Sequence, residues 1–536
     1  QEKIARLEDI PQRVYPFPFS APHASDFLHI RYAGKREVHS TLSPRIQQIA
    51  ETILQSYQPT ITLAGANNAS VVVIENSTRK VRALVGSLNY WDEQNDGQVA
   101  GFLAFRSPGS ALKPFLYALA LQNGIITPES LIEDAPVRFG AFQPMNFTQT
   151  YQGLVPAQKA LAFSLNVPFV HILRNTGLHN FLNLLDELEI KYDPGISYGL
   201  SAITGAIEVR LLDLTNAYVT LAHLGKHSSY ILVEEEADKR RKEEYPALNP
   251  AGVYLTLKAL SIKERPDAPL LSSYTISKVP IYWKTGTSWG FRDAWSIGFH
   301  SEYTVGVWVG NFSGKGSPGI QSSRLSAPIM FDILHALSEE AKPIPMPSEK
   351  HFSRVRVCAF SGYRPGPFCE ETKEVVVPKD SAPSRICPFH KSAMVVKKTG
   401  YRACPWRMYP DAELEMKRFL SLPPSVAVIL GVPSGFPPLS PECSISPHSD
   451  ALHIASPSPG SEYIFPSGLH ISGKIPLQAF TSTRDQIIYW FIQNQYIGST
   501  RSGEILFHYL PSGSHEILAM NSSGKKQKVT IRIYQM

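Results

Sequence analysis

The stretch Arg106-Ser-Pro-Gly-Ser110-Ala-Leu-Lys113-Pro-Phe-Leu-Tyr-Ala-Leu-Ala-Leu-Gln-Asn-Gly124 decides how this chain is read. Leu112, Phe115, Leu116 and Leu119 follow the i, i+3, i+4, i+7 spacing of a core-facing helix, and Asn123-Gly124 is a stop signal. Pro114 would break a helix interior, but it is tolerated in a first turn, where N–H groups have no intrahelical acceptor. The helix is therefore expected to begin close to Ser110. Ser110 and Lys113 then share one helix face, so the amine can reach the hydroxyl. Ser-x-x-Lys by itself carries no weight, since it recurs at Ser77/Lys80, Ser522/Lys525 and Ser523/Lys526 in turn-like polar segments. Only Ser110 opens an apolar helix and has Ser164-Leu-Asn166 and Lys284-Thr-Gly-Thr287 downstream.

Those three elements make a coherent chemistry. A serine hydroxyl is a poor nucleophile until a base takes its proton. Lys113 does this only if burial and a neighbouring cation lower its pKa from ~10.4. Lys284, on a strand expected over 279–287, is that cation. The backbone N–H groups of Ser110 and Thr287 are the expected oxyanion hole, aided by the positive end of the helix. Ser164 and Asn166 are assigned the proton shuttle and a hydrogen bond to the substrate amide. Thr285 and Thr287 are assigned to a terminal carboxylate. Gly286 is read as leaving room for a substrate backbone against the strand edge.

Around this core, runs 70–75 and 81–87 read as a hairpin. Helical patterns occupy 110–124, 156–165, 178–188 and 211–224, and strands return at 279–287, 294–299 and 303–311. This order predicts an α+β domain over 66–345, an antiparallel sheet covered by helices. Residues 1–65 read as a linker or pedestal that includes an amphipathic segment at 45–54. The mixed charge run at 234–244 reads as a solvated surface. A cysteine-bearing, proline-rich connecting region spans 346–448. Over 449–536, short alternating runs at 487–492, 504–509, 515–520 and 528–534, with Pro-Ser-Gly turns at 466 and 511, predict a small immunoglobulin-like β-sandwich.

Composition bounds the rest. A chain of 536 residues with 43% hydrophobic residues is not globally disordered. Its charge, 52 − 46 = +6, is too weak a basic signature for a dedicated nucleic-acid binder. No apolar run is long enough to span a bilayer and no signal-peptide pattern opens the chain. Because it starts at Gln1 rather than Met, a fragment or processed form is expected. Between 349 and 407 there are twelve Lys and Arg against five Asp and Glu, so 12 − 5 = +7. Such an excess suits contact with anionic lipid head groups or wall polymer, or simple solubilisation.

The longer text around the three elements resembles a known family. The matching stretches are 106–115, Ser164-Leu-Asn-Val-Pro168, Leu214-Thr-Asn-Ala-Tyr218, Lys284-Thr-Gly-Thr-Ser288, Gly290-Phe-Arg-Asp-Ala-Trp295 and 303–310. They are similar to the class A penicillin-binding proteins of the 1C type, in their transpeptidase and C-terminal regions without the glycosyltransferase domain. The resemblance implies the penicillin-binding protein/serine β-lactamase-like fold. It also implies a D,D-transpeptidase that cross-links D-Ala-D-Ala stem peptides of peptidoglycan through an acyl-enzyme on Ser110, with β-lactams as covalent inhibitors. It implies no cofactor, no metal and no nucleic acid, with a protein partner for the C-terminal β-domain. Glycosyltransferase activity is expected to be absent. The setting implied is the periplasmic face of the cytoplasmic membrane, with an N-terminal anchor outside this chain. Ala111 stands where Thr is common, and Phe169 where a small residue is usual; Phe169 is expected to reshape the cleft wall without touching a catalytic side chain.

Two other readings stand beside it. One is hydrolysis on the same fold, as a D,D-carboxypeptidase or a β-lactamase; Glu187 and Glu189 are near the expected place of a deacylating Glu but outside its usual pattern. The other is a non-enzymatic wall-binding, scaffold or β-lactam-sensing module. For the five cysteines, Cys358, Cys369, Cys387, Cys404 and Cys443, an envelope setting favours disulfides, with one left over from the odd count. Cys387-Pro-Phe-His390, with Cys358, Cys369 and Cys404, offers ligand types that zinc could use. The intervals of 10 and 17 residues between Cys358, Cys369 and Cys387 do not match the paired spacing of common zinc modules.

Overall fold

The expected hairpin forms from β1 (Asn68–Glu75) and β2 (Val81–Val85), antiparallel with Val71 opposite Val85. β1 is buried along nearly its whole length, so it must be covered on both faces. The structure, a computed structural model, describes residues 20–140, 142–237, 244–266, 279–339, 341–404, 409–433, 435–440, 452–465, 474–481, 486–522 and 524–535. They fall into two compact units, one of residues up to 134 with 146–387, the other of 135–145 with 388 onwards.

In the first unit the sheet continues with β3 (Tyr282–Thr287), β4 (Asp293–Phe299) and β5 (Tyr303–Gly310). All neighbours are antiparallel and the order is β2-β1-β5-β4-β3, which leaves β3 at an edge. Besides helices at Pro22–Arg31 and Gln58–Leu63, the described α-helices are α1 (Pro44–Ser56), α2 (Lys113–Gln122), α3 (Ala157–Ala162), α4 (Asn166–Thr176), α5 (Leu178–Glu187), α6 (Leu211–Ala222), α7 (Pro250–Leu260) and α8 (Ser326–Ala336). α1 and α8 cover one face of the sheet, where Ile46, Ala50 and Leu54 pack with Val71, Val73, Val307, Ile329 and Ile333. α6 packs on β5 and β1 from the other face. Among the described residues no helix is long and apolar enough to cross a membrane.

Residues 44–61 are therefore not a linker. Ser43 caps α1 by accepting from the Ile46 N–H, and Pro44 sits in its first turn. The apolar stripe of α1, with Ile61, is part of the sheet's own core. The Gln47 side chain also bonds both the N–H and the carbonyl of Leu84 in β2.

The region expected as one connector over 346–448 is divided. Strands β6 (Phe352–Cys358) and β7 (Thr372–Pro378) pair within the first unit. The chain after them is tied to the end of α2, through Ser381 Oγ to the Gln122 carbonyl (2.5 Å) and the Ser384 N–H to the Gly124 carbonyl (3.0 Å). From 388 the chain belongs to the second unit. The basic excess divides with it: 7 − 5 = +2 over 349–387 and 5 − 0 = +5 over 388–407. The disulfide expectation needs correction too. Cys358, Cys369 and Cys387 are in no disulfide, and their three sulfurs lie within 4.8 Å of one another. Cys404 is disulfide-bonded, and Cys443 lies outside the described residues.

The second unit holds the His390–Val396 and Leu414–Leu420 hairpin and two further sheets. One has three strands, His453–Ser456, Lys474–Phe480 and Ile505–Tyr509; the other has five, including Ile487–Ile492, Gly513–Asn521 and Lys526–Gln535. The sheets share one core of Ile475, Leu477, Trp490, Ile517 and Ile531, as the alternating pattern requires. The expected turn at 466 and residues 238–243 of the charge run lie outside the described residues.

If α1 belongs to the catalytic core, Leu54→Ala costs about 2–5 kcal/mol of that unit's stability. A thermal melt reads this; an unchanged melting temperature contradicts the assignment.

Candidate active site

The chain enters α2 through a tighter turn than expected. Residues Gly109–Leu112 form a 3₁₀ turn, and the α-helix proper starts at Lys113 with Pro114 beside its start. The carbonyl of Ala111 accepts from the Tyr218 hydroxyl of α6 at 2.6 Å, fixing the turn from behind. Every residue from Lys113 to Leu121 is buried, so α2 runs through the interior rather than presenting a single stripe.

Lys113 is thus carried into the core, and its ammonium is met by oxygens of the second element. Its Nζ donates to the Ser164 carbonyl (2.8 Å), the Leu165 carbonyl (3.0 Å) and Asn166 Oδ1 (2.7 Å). Burial, with the charge of Lys284 second, holds the Lys113 pKa well below its usual value; Asp134 opposes them weakly. Lys284 Nζ donates to Ser164 Oγ (2.7 Å) and to the Thr285 carbonyl (2.8 Å). Ser164 therefore stands between the two lysines, its carbonyl on one and its hydroxyl on the other. It adopts φ +57°, a left-handed conformation unusual for a non-glycine residue, at the corner between α3 and α4.

Sequence reasoning missed what holds this corner. No side chain at the start of α4 caps it; instead Asn146 Oδ1 accepts from the N–H groups of Asn166 (2.8 Å) and Val167 (3.3 Å). Asn146 Nδ2 donates to Asp134 Oδ1 at 2.7 Å, and Asp134 Oδ2 accepts from the Gln152 N–H at 2.8 Å. Burial raises the Asp134 pKa. No local signal marks Asn146, which lies 20 residues before Asn166 in an irregular segment.

The third element lies on edge strand β3. Gly286 has a different role from the one expected. Its missing Cβ would lie 2.0 Å from the Pro108 carbonyl, so glycine lets the nucleophile turn press onto the strand. Thr287 Oγ1 is 2.6 Å from Ser322 Oγ, and Ser322 Oγ also bonds the Gly286 carbonyl, a second residue the motifs do not reveal. Ser110, Asn146, Ser164, Asn166, Thr285 and Thr287 together line a cleft of about 490 Å³. Among the described lining residues there is no carboxylate. Glu189 instead accepts from Ser229 Oγ (2.6 Å). Phe169 also departs from expectation: it is buried, and its ring centre lies 5.3 Å from Lys113 Nζ.

The arrangement can do nucleophilic acyl chemistry. Ser110 faces the cleft, an amine of depressed pKa lies in the wall behind it, and a hydroxyl held by a second ammonium can pass a proton. Gly286→Ala is expected to push the 108–111 turn off β3 and slow Ser110 acylation by ~10²-fold or more, the scale of one lost oxyanion donor. The acylation rate with a fluorescent penicillin checks this; a rate within a factor of two of the unaltered chain contradicts it.

Comparison with known proteins bears on the family. Residues 69–334 match the penicillin-binding protein transpeptidase domain, and 442–533 the penicillin-binding protein C-terminus family. Penicillin-binding protein 1C of Escherichia coli is 30% identical over 347 residues, covering 64% of this chain and 44% of that protein. Penicillin-binding protein 1A of Aquifex aeolicus is 28% identical over 292 residues, covering 50% of this chain and 38% of that protein. The chain thus spans less than half the length of these curated relatives. Among solved structures, penicillin-binding protein 1A from Haemophilus influenzae shares the fold at TM-score 0.58 and 14% identity, over 72% of this chain and 80% of its own. PonA1 from Mycobacterium tuberculosis, solved with penicillin V, does so at TM-score 0.51 and 19% identity, over 61% and 96%. With the transpeptidase domain and the C-terminal region both present in order, the chain belongs to the penicillin-binding protein family.

Proposed function

We propose that the chain is a serine D,D-transpeptidase of peptidoglycan synthesis, acting outside the cytoplasmic membrane on stem peptides that end in D-Ala-D-Ala. The observation that carries this reading is the pair of buried lysines joined through Ser164 beside Ser110. Ser110 Oγ attacks the carbonyl carbon of the penultimate D-Ala while its proton passes to neutral Lys113. The developing oxyanion is met by the N–H groups of Ser110 and Thr287. As the intermediate collapses, the C–N bond breaks and the leaving D-Ala nitrogen takes a proton from Ser164 Oγ, which is resupplied from the lysines. An amine of a second stem peptide then attacks the ester, transfers the acyl group and frees Ser110. A β-lactam carbonyl enters at the same serine and leaves it acylated.

Protonated Lys113 donates to three oxygens and has no lone pair to offer. Deprotonation releases one of these contacts and supplies the base. Acylation is therefore expected to rise with pH as Lys113 loses its proton, levelling off well below 10.5. In that same window the folded state binds fewer protons than the unfolded one at this site, so stability also rises with pH. A pH profile of penicillin acylation checks the order; a rate that falls as Lys113 deprotonates overturns the assignment of the base.

Ser110→Ala is expected to abolish labelling by fluorescent penicillin, and undiminished labelling refutes the nucleophile. Mass spectrometry of products from a stem pentapeptide and an acceptor amine separates the outcomes. Cross-linked dimer supports transpeptidation; tetrapeptide alone assigns the chain to hydrolysis.

A further inference from the structure

The convergence of three thiols outside the catalytic cleft points to a metal site, against the sequence expectation of none. We propose that Cys358, Cys369 and Cys387 hold a structural zinc ion, with His390, three residues beyond Cys387 in the sequence, as fourth ligand. The three sulfurs lie within 4.8 Å of one another, and no disulfide joins them. Tetrahedral zinc with bonds to sulfur of about 2.3 Å sets its ligand atoms roughly 3.8 Å apart, a small contraction from this arrangement. A disulfide serves two of the sulfurs and strands the third; a metal serves all three.

The backbone is shaped around the sulfurs. Cys358 closes β6 and is fully buried. Its N–H donates to the Tyr363 carbonyl (2.8 Å), and its carbonyl accepts from the Gly362 N–H (2.9 Å), turning the chain sharply. The Gly366 N–H donates to Cys369 Sγ at 3.3 Å, which fixes the position of that sulfur. The Cys387 N–H donates to the Arg364 carbonyl at 2.9 Å, drawing the last cysteine back to the same turn. Three thiolates around Zn²⁺ leave a net charge of −1, and segment 349–387 carries 7 − 5 = +2 to offset it. On binding, each thiol releases its proton to solvent and no electron is exchanged.

The turn so clamped braces the catalytic unit. Gly362, at φ +70°, has its missing Cβ position 2.6 Å from the backbone carbon of Glu129, so only glycine lets the turn seat there. The Gly362 carbonyl accepts from Thr127 Oγ1 and Ser130 Oγ, and the Leu131 N–H donates to the Ser361 carbonyl. Residues 124–131 directly follow α2, the helix that carries Lys113. Zinc would thus hold the far end of the nucleophile helix without entering the reaction.

The test is metal analysis of the full chain, purified with its thiols reduced and dialysed against metal-free buffer. One zinc per chain is expected. After chelation, Co(II) is expected to bind stoichiometrically with the charge-transfer and ligand-field bands of a tetrahedral thiolate centre. Cys369→Ser, at the most exposed of the three, and His390→Ala are each expected to weaken Zn(II) binding. The loss should be at least the ~10–100-fold that follows when a residue merely hydrogen-bonded to a ligand is removed. Loss of binding in Cys369→Ser with unchanged binding in His390→Ala removes His390 from the proposal. A reduced, folded chain that takes up neither Zn(II) nor Co(II) overturns the site. So does peptide mapping that finds two of these three cysteines joined in the protein as isolated. Because the readout is the metal itself, either result is independent of whether Ser110 is acylated.

Discussion

Two lysine side chains are withdrawn from water on either side of one serine, Ser164, and the first unit is organised around keeping them there. Burying an ammonium ion is costly by several kcal/mol unless oxygen acceptors replace its hydration, and two like charges side by side raise the cost further. The chain answers with backbone carbonyls. The Ser164 and Leu165 carbonyls turn inward to Lys113, and the Thr285 carbonyl folds over Lys284. A carbonyl cannot be titrated or rotated away as a carboxylate can, so the lysines are solvated without being neutralised. That is the condition under which an amine both survives burial and remains ready to give up its proton.

This requirement explains features that otherwise look unrelated. Ser164 is in a left-handed conformation because its carbonyl and its hydroxyl must face different lysines. Asn146 takes the free N–H groups of α4, and Asp134 and the Thr150 carbonyl hold Asn146 in turn, so the polar corner is fixed from behind. Phe169 packs its ring under the Lys113 ammonium. Ring contact favours the charged form while burial and Lys284 disfavour it, and burial is the larger influence.

How much of this could be read from the chain depended on whether the information is local. The three short elements that line the cleft were legible because each carries its own pattern, and their order singles out Ser110 among four Ser-x-x-Lys matches. The strands were legible from alternation, in the sheet as in Ile487–Ile492. What escaped depends on chain segments meeting. Asn146 is an ordinary loop residue until α4 arrives beside it. Gly286 looks like a substrate platform until Pro108 is placed against it. The amphipathic stripe at Ile46, Ala50 and Leu54 was visible, but not the sheet it covers. The spacing of the three cysteines weighed against a zinc centre; the β6–β7 turn and the return of Cys387 to Arg364 bring their sulfurs together.

The position of β3 at the rim of its sheet has an evolutionary consequence. Its outer row of peptide groups has no partner strand in the sheet, the kind of edge to which an extended peptide can add. A substitution by any residue except proline leaves the backbone N–H and C=O groups in place, and Gly286 cannot enlarge without dislodging Ser110's own turn. Sequence change along this rim therefore acts mainly through the surrounding walls, at residues such as Thr285 and Ser322 that line the cleft. Such changes reshape access while leaving the main-chain template intact. The template is set by backbone geometry rather than by the identity of any exposed side chain.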